Sequence, residues 1–365
     1  MKCVIAGGGT GGHLFPGMAI AEAFVEREMG NEVLFIGTER GIESRALAGG
    51  RFPLRTIQAR PLKGKSLWAK GEALWAIPGA IGEAYSILKD FRPQVVLGVG
   101  GYASGPTLLA AFLLRMKRAI HEQNLAPGMT NRILKRFSQQ VFVSFEESMK
   151  YFPGGRTWVT GTPVRKEFLA GLSSAREGLQ RTGREPFNLL IFGGSAGAQR
   201  INRAMMETLT LLDEIKPFAR IVHQTGREDV ESVSKGYQEK GFNALVRPFF
   251  EEMASQVQAS HLVICRSGAS TIAELAVCGK AAILVPYPHA ARQHQLINAQ
   301  KLVDLGAARM IRDEALNGAS LAKSILHFYN HPKERGRMEE AIRKMGHPMA
   351  AEEIVDRCYA LVGAR

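Results

Sequence analysis

No stretch of the chain stays apolar for the roughly 18–20 residues that a bilayer-spanning helix requires. The longest run, Leu108–Leu114, stops at Arg115. No secretory leader opens the chain either: Met1–Ala6 runs straight into a glycine turn and reads as a first strand. The cysteines Cys3, Cys265, Cys278 and Cys358 are scattered, without a CxxC pair or zinc spacing, which excludes a disulfide scaffold and a structural zinc site. Most lie in apolar segments, where a thiol is a small buried side chain, so a cytoplasmic protein with reduced thiols is expected. An Asp-x-Asp pair is also missing, which argues against a metal-clamped diphosphate, and no metal or other cofactor is expected. Short-period repeats and low-complexity tails are absent as well.

What is present is an ordinary globular composition, 45% hydrophobic and 22% charged, over 365 residues. That length suggests two domains, since a single core seldom grows past roughly 250–300 residues. Charge is the unusual property. The net +13 calls for an anionic partner: nucleic acid, anionic lipid or a phosphorylated substrate. The excess concentrates between Arg51 and Arg92, where eight basic residues face three acidic ones. A merely solvated surface is the plainer account of such a segment.

Short β-branched runs alternate with helical patterns, the signature of parallel α/β units. Strands are expected at Cys3–Ala6, Glu32–Ile36, Leu54–Ile57, Val95–Leu97, Ala119–His121 and Val141–Val143 in the first half. In the second they are expected at Leu189–Phe192, Arg220–His223, Ala244–Val246, Leu262–Cys265 and Ala281–Val285. Helical patterns such as Met18–Glu28, Asn202–Leu211 and Thr271–Val277 lie between them. Near Thr160-Gly161-Thr162-Pro163 the pattern breaks ahead of a polar stretch and a fresh strand. Two Rossmann-like parallel-sheet domains separated by a cleft follow, residues 1–162 and 163–365, with the last helices packing back on the first domain.

Four glycine-rich turns each follow an expected strand: Gly7–His13, Gly98–Tyr102, Gly193–Gly197 and Arg266–Ser270. Glycine lets the backbone approach a ligand closely, and a helix N-terminus at the same place attracts phosphate oxygens. In an open α/β sheet ligands bind beyond the carboxyl ends of the strands, where these turns would lie. The first turn also fits GxGxxG through Gly7, Gly9 and Gly12. A nicotinamide site needs an acidic residue ending the second strand to hold the ribose. That strand ends in Gly37-Thr38, with Glu39 arriving late, so a dehydrogenase is a distant alternative.

Seven motifs occur in order: Gly8-Gly9-Thr10-Gly11-Gly12-His13-Leu14-Phe15-Pro16, Gly100-Gly101-Tyr102-Ala103-Ser104-Gly105-Pro106, His121-Glu122-Gln123-Asn124, Gly161-Thr162-Pro163-Val164-Arg165, Gly193-Gly194-Ser195-Ala196-Gly197-Ala198, Cys265-Arg266-Ser267-Gly268-Ala269 and Gln295-Leu296-Ile297-Asn298-Ala299. From Ala6 to about Ala307 the chain resembles the MurG family of peptidoglycan N-acetylglucosaminyltransferases. The resemblance implies a GT-B fold, the first domain serving acceptor and membrane and the second the nucleotide sugar. It implies inverting transfer of GlcNAc from UDP-GlcNAc to the C4 hydroxyl of MurNAc in undecaprenyl-pyrophosphoryl-MurNAc-pentapeptide (lipid I), giving lipid II and UDP. A part in cell-wall synthesis, shape and division comes with it. So does a peripheral position on the cytoplasmic side of the cell membrane.

By the same resemblance Phe250 lies against uracil and Glu274 holds the ribose hydroxyls. Ser195, Arg165 and the turn Ala269-Ser270-Thr271 meet the diphosphate and sugar. Thr10, Gly11, Gly12, Asn124 and Gln295 complete the pocket. The residues read alone agree: Glu274 shares a helix face with Ser270, so its carboxylate can reach a ribose while the amides reach phosphate. An exposed helix glutamate and a surface arginine are the bland accounts of Glu274 and Arg165. The attacking hydroxyl needs a base. His13, beside the first glycine turn, is the first candidate, and His121, ending an apolar strand, is the rival. Two departures stand out. The family's Ser-Gln-Gly reads Ser195-Ala196-Gly197 here, and Phe250 stands where aliphatic residues are also common, so a core residue is its alternative reading.

The basic segment gains a meaning from this resemblance. Lys65, Trp68, Lys70 and Trp75 suit an interfacial patch, with rings in the headgroup layer and ammonium groups on anionic lipid. A core helix with solvated charges is the alternative. Another UDP-sugar transferase of the GT-B fold, or a non-catalytic nucleic-acid binder, would be the competing functions. The second needs aromatics interleaved with basic residues, found only in this segment, so no nucleic-acid partner is expected.

Overall fold

The computed structural model describes residues 1–39, 47, 50–59, 67–170, 186–194 and 197–363, with the side chains of 67–75 outside the description. It divides into two compact units, Met1–Arg165 with His347–Arg365, and Lys166–Gly346.

The first unit is a seven-stranded parallel sheet of β1 (Lys2–Gly7), β2 (Glu32–Gly37), β3 (Leu54–Thr56), β4 (Val95–Gly100), β5 (Lys117–Glu122), β6 (Gln140–Val143) and β7 (Thr157–Val159), in the order β3-β2-β1-β4-β5-β6-β7. The second holds six parallel strands, β8 (Phe187–Phe192), β9 (Ala219–Gln224), β10 (Ala244–Arg247), β11 (Leu262–Cys265), β12 (Ala282–Leu284) and β13 (Arg309–Met310), ordered β10-β9-β8-β11-β12-β13. Each sheet starts in its middle, winds to one edge, then returns to build the other. The reversal points lie between β1 and β4 and between β8 and β11.

The inner strands β1, β2, β4, β8 and β11 read as nearly unbroken apolar runs because both faces are covered. Alternate residues supply opposite faces. Cys3, Ile5, Val95 and Leu97 join Leu14, Ile20 and Phe24 of the Gly11–Arg27 helix on one side. Val4, Ala6, Val96 and Ile120 meet Ala84, Leu88 and Leu108 on the other. The Ala350–Gly363 helix brings Ile354, Val355, Cys358 and Leu361 to the first of these layers, so the chain's end is part of the unit that holds its beginning. In the second unit Leu189, Ile191 and Ile264 pack with Ile201 and Met205, while Leu190, Val263 and Leu284 pack with Ile272 and Leu275.

The edge strands β7 and β13 were not expected from sequence. They are three and two residues long, too short for an alternation to register. All four cysteines are free thiols, and burial pushes Cys278 and Cys358 up to about 12.

Each core also encloses a histidine. His121, next to last in β5, is fully buried and donates from Nε2 to the Gly161 carbonyl at 2.9 Å. Burial lowers its pKa to about 4, the carbonyl bond opposing and His13 adding to the depression. His223, near the end of β9, lies between Tyr237 (Nδ1 to the hydroxyl, 2.9 Å) and Asn202 (Nε2 to Oδ1, 3.0 Å), and burial lowers its pKa to about 3. Both are neutral when folded, yet the unfolded chain protonates them near pH 6.5. Between that pH and each folded value the unfolded state binds more protons. Stability should therefore fall with falling pH by about 1.4 kcal/mol per pH unit for each histidine. Urea midpoints measured at pH 7, 6 and 5 should drop in step, and a midpoint flat over that range would contradict the buried neutral assignment.

Candidate functional site

All four glycine turns lie at the carboxyl ends of the strands that flank the two reversal points: after β1 and β4 in the first unit, after β8 and β11 in the second. These are the positions where an open α/β sheet leaves a crevice for a ligand.

In the first unit the two turns touch backbone to backbone. A β-carbon on Gly101 (φ +84°) would sit 2.2 Å from the Gly8 carbonyl oxygen, so no other residue fits. Ser104 locks the same corner, its Oγ donating to Ala6 O at 2.6 Å and accepting from Gly100 N at 3.0 Å. The bare Cα of Gly100 leaves room for the His13 ring, whose Nε2 would be 2.8 Å from a β-carbon there. His13 sits in the first turn of the Gly11–Arg27 helix, half-buried, with Nδ1 3.1 Å from the Thr10 hydroxyl. Thr10, Gly11, Gly12 and His13 are thus gathered at one strand end.

The next strand end contributes a second cluster. Glu122 is buried, and its carboxylate accepts from Asn124 N (3.0 Å) and Nδ2 (3.2 Å), Gly128 N (3.0 Å) and Asn131 Nδ2 (2.9 Å). Burial raises its pKa and these donors oppose the rise. Glu122 therefore shapes the Asn124–Gly128 loop, an arrangement that the sequence does not announce. Arg165 belongs to this unit, its guanidinium 4.6 Å from the Phe15 ring centroid, a cation–π contact.

In the second unit Ala269, Ser270 and Thr271 form the first turn of the Ala269–Cys278 helix, capped by Gly268 in extended conformation with no acidic residue in that turn. Its first amides therefore point outward without an intrahelical partner. Glu274 lies one turn further, half-buried. Gln295 opens the His294–Asp304 helix; its Oε1 accepts from Tyr287 N at 2.9 Å, and its carbonyl accepts from Ser267 Oγ at 2.9 Å. Arg266 braces the same loop, donating to the carbonyls of Val285 and Pro286 and pairing with Asp313, two groups nearly buried. Phe250 is only 4% exposed and joins the apolar layer of Leu190 and Val263, while Phe249 beside it is half exposed. Ser195 and Lys65 lie outside the described residues. Trp68, Lys70 and Trp75 fall on the Leu67–Phe91 helix, but their side chains lie outside the description too.

Comparison with known proteins follows this division. The profile of the glycosyltransferase family 28 N-terminal domain matches residues 3–143, and that of the family 28 C-terminal domain matches residues 188–354. The chain is 46% identical over 362 residues to a UDP-N-acetylglucosamine–N-acetylmuramyl-(pentapeptide) pyrophosphoryl-undecaprenol N-acetylglucosamine transferase of Myxococcus xanthus, covering 99% of this chain and 93% of that one. A transferase of the same name from Syntrophus aciditrophicus is also 46% identical, with 99% of both chains covered. The crystal structure of Acinetobacter baumannii MurG superposes with a TM-score of 0.79 at 30% identity, covering 98% of this chain and 99% of that one. The fold is GT-B, and the chain belongs to glycosyltransferase family 28, in the MurG group of N-acetylglucosamine transferases.

Proposed function

We propose that this enzyme transfers GlcNAc from UDP-GlcNAc to the C4 hydroxyl of MurNAc in lipid I, releasing UDP and forming lipid II for peptidoglycan. The observation that carries the reading is the near full-length match to transferases named for this donor and acceptor, made by a chain whose glycine turns flank both reversal points. The Lys166–Gly346 unit is assigned the donor. Ala269, Ser270 and Thr271 present amides to the diphosphate, Glu274 accepts the ribose hydroxyls, Gln295 takes the sugar, and the Phe250 segment with Ser195 completes the nucleotide site. The Met1–Arg165 unit is assigned the acceptor, with Thr10, Gly11, Gly12 and Asn124 lining it and Arg165 reserved for the developing diphosphate charge.

The reaction is a single displacement. The acceptor O4 loses its proton to His13, bonds to the anomeric carbon of GlcNAc, and the bond from that carbon to UDP breaks with inversion. In the tautomer that protonates Nδ1 toward the Thr10 hydroxyl, the lone pair needed for this step sits on Nε2. His121 suits the role less, because its Nε2 is committed to Gly161 and its burial is complete. His13→Ala should lower turnover about 10²–10⁴-fold and abolish the acidic limb of the pH–rate profile, with UDP affinity little changed. His121→Ala should keep that limb. The opposite pattern would transfer the role to His121.

Peripheral binding to the cytoplasmic face of an anionic membrane is the second part of the proposal. Among the described residues no helix is long and apolar enough to cross a bilayer. The Leu67–Phe91 helix that carries Trp68 and Trp75 packs against Ser104–Leu113, which exposes Phe112 and Leu113; Met129 and Ile133 are exposed on a helix that packs on this one, beside Arg132 and Arg136. Apolar rings and chains among cations favour an interfacial position. Changing Trp68 and Trp75 to Ser and Lys65 and Lys70 to Glu together should abolish cosedimentation with anionic vesicles and leave UDP binding intact. Loss of UDP binding in that variant would place these residues in the core.

A further inference from the structure

Gln224 ends β9 with its side chain buried, 2% exposed. Its Nε2 donates to the Gly194 carbonyl at 2.9 Å, and its Oε1 accepts the Phe250 backbone N–H at 2.9 Å. The two partners are 56 positions apart, one in the glycine turn after β8, the other where the chain leaves β10. Its surroundings hold the strand end firmly. Thr225 N donates to Arg247 O (3.1 Å) and Gly226 N to Pro248 O (3.2 Å). Asn202 Nδ2 donates to Thr225 O at 2.9 Å, and a β-carbon on Gly197 would fall 2.1 Å from that same oxygen.

We infer that Gln224 is a positioning residue for the nucleotide donor, fixing the phosphate-side turn at Gly194 and the base-side segment at Phe250 relative to one another. The inference rests on the assignment of UDP-GlcNAc to this unit. A backbone carbonyl requires a donor and a backbone N–H requires an acceptor; one planar carboxamide of this length supplies both. A carboxylate supplies only the acceptor, and a thioether supplies neither at useful strength. The sequence signal is an apolar strand, Ile221-Val222, that ends in polar His223-Gln224-Thr225 before Gly226, a pattern that buries side chains with hydrogen-bonding work at a strand terminus.

Two variants separate positioning from simple stability. Gln224→Met keeps the length and removes both bonds. Its KM for UDP-GlcNAc should rise about tenfold or more, as loss of two neutral hydrogen bonds predicts, with the KM for the lipid acceptor unchanged. Gln224→Glu keeps the acceptor for Phe250 and sets a carboxylate oxygen against the Gly194 carbonyl. By titration calorimetry it should weaken UDP about tenfold and uridine less than about threefold, because only the phosphate-side turn is disturbed. Donor KM and UDP affinity at wild-type values in both folded variants would overturn the inference. So would a fall in kcat alone at constant KM, which reports lost active protein, or the unfolding of both variants, which would assign Gln224 to stability. Wild-type protein that binds no UDP would instead sink the donor-site assignment on which the inference stands.

Discussion

A β-carbon at Gly101 would begin 2.2 Å from the carbonyl oxygen of Gly8, and one at Gly197 would begin 2.1 Å from the carbonyl oxygen of Thr225. Both contacts are backbone against backbone, so neither neighbour can rotate away. The first approach fixes the corner at the reversal point between β1 and β4, and the second ties the chain after β8 to the end of β9, so the features of each site follow. In the first unit the corner sets the start of the Gly11–Arg27 helix and hence the place of His13 against Gly100. In the second, Gly194 accepts from Gln224 and Gly197 lies against Thr225, whose carbonyl also accepts from Asn202. The first-unit turn, held this way, presents its amides without the ordering cost that a mobile loop incurs on binding.

Buried polar groups then stabilise the loops that the glycines free. Glu122 accepts four N–H bonds and thereby defines the Asn124–Gly128 loop. Arg266 and Asp313, both nearly buried, hold the segment that leads to Gln295. Such groups are costly to desolvate and worthwhile only when fully bonded. Removing one partner strands the other, so these residues tie the rigidity of the site to the stability of the unit.

Much of the fold was legible in the sequence because a doubly covered parallel strand reads as an apolar run, and all eleven expected runs coincide with strands, inner and edge alike. The edge strands β7 and β13 escaped: at three and two residues they carry no run that stands out, whereas the edge strands β3 and β10 fall in the expected runs Leu54–Ile57 and Ala244–Val246. The glycine turns were legible through chemistry, since a glycine after a strand is there for close approach. Roles carried by hydrogen bonds were less so. Glu122 and Gln224 are ordinary polar letters in sequence; their importance lies in what the fold brings to them, three donors from a loop and one from the next helix in one case and two chain segments 56 residues apart in the other. Phe250 shows the converse. An aromatic letter beside a proposed base site suggests stacking, yet the side chain is packed in the core and its backbone N–H bonds to Gln224, while the ring of Phe249 is the exposed one.

Passage of a GlcNAc unit from UDP to a lipid-linked MurNAc, with inversion in one step, is tested most directly by incubating the enzyme with UDP-GlcNAc labelled in the sugar and lipid I in detergent. The product is analysed by NMR at the new linkage. One UDP should be released for each label entering the lipid, and the new bond to the C4 oxygen of MurNAc should be β-configured. Label transferred with retained α configuration, or UDP released with no label in the lipid, would contradict it.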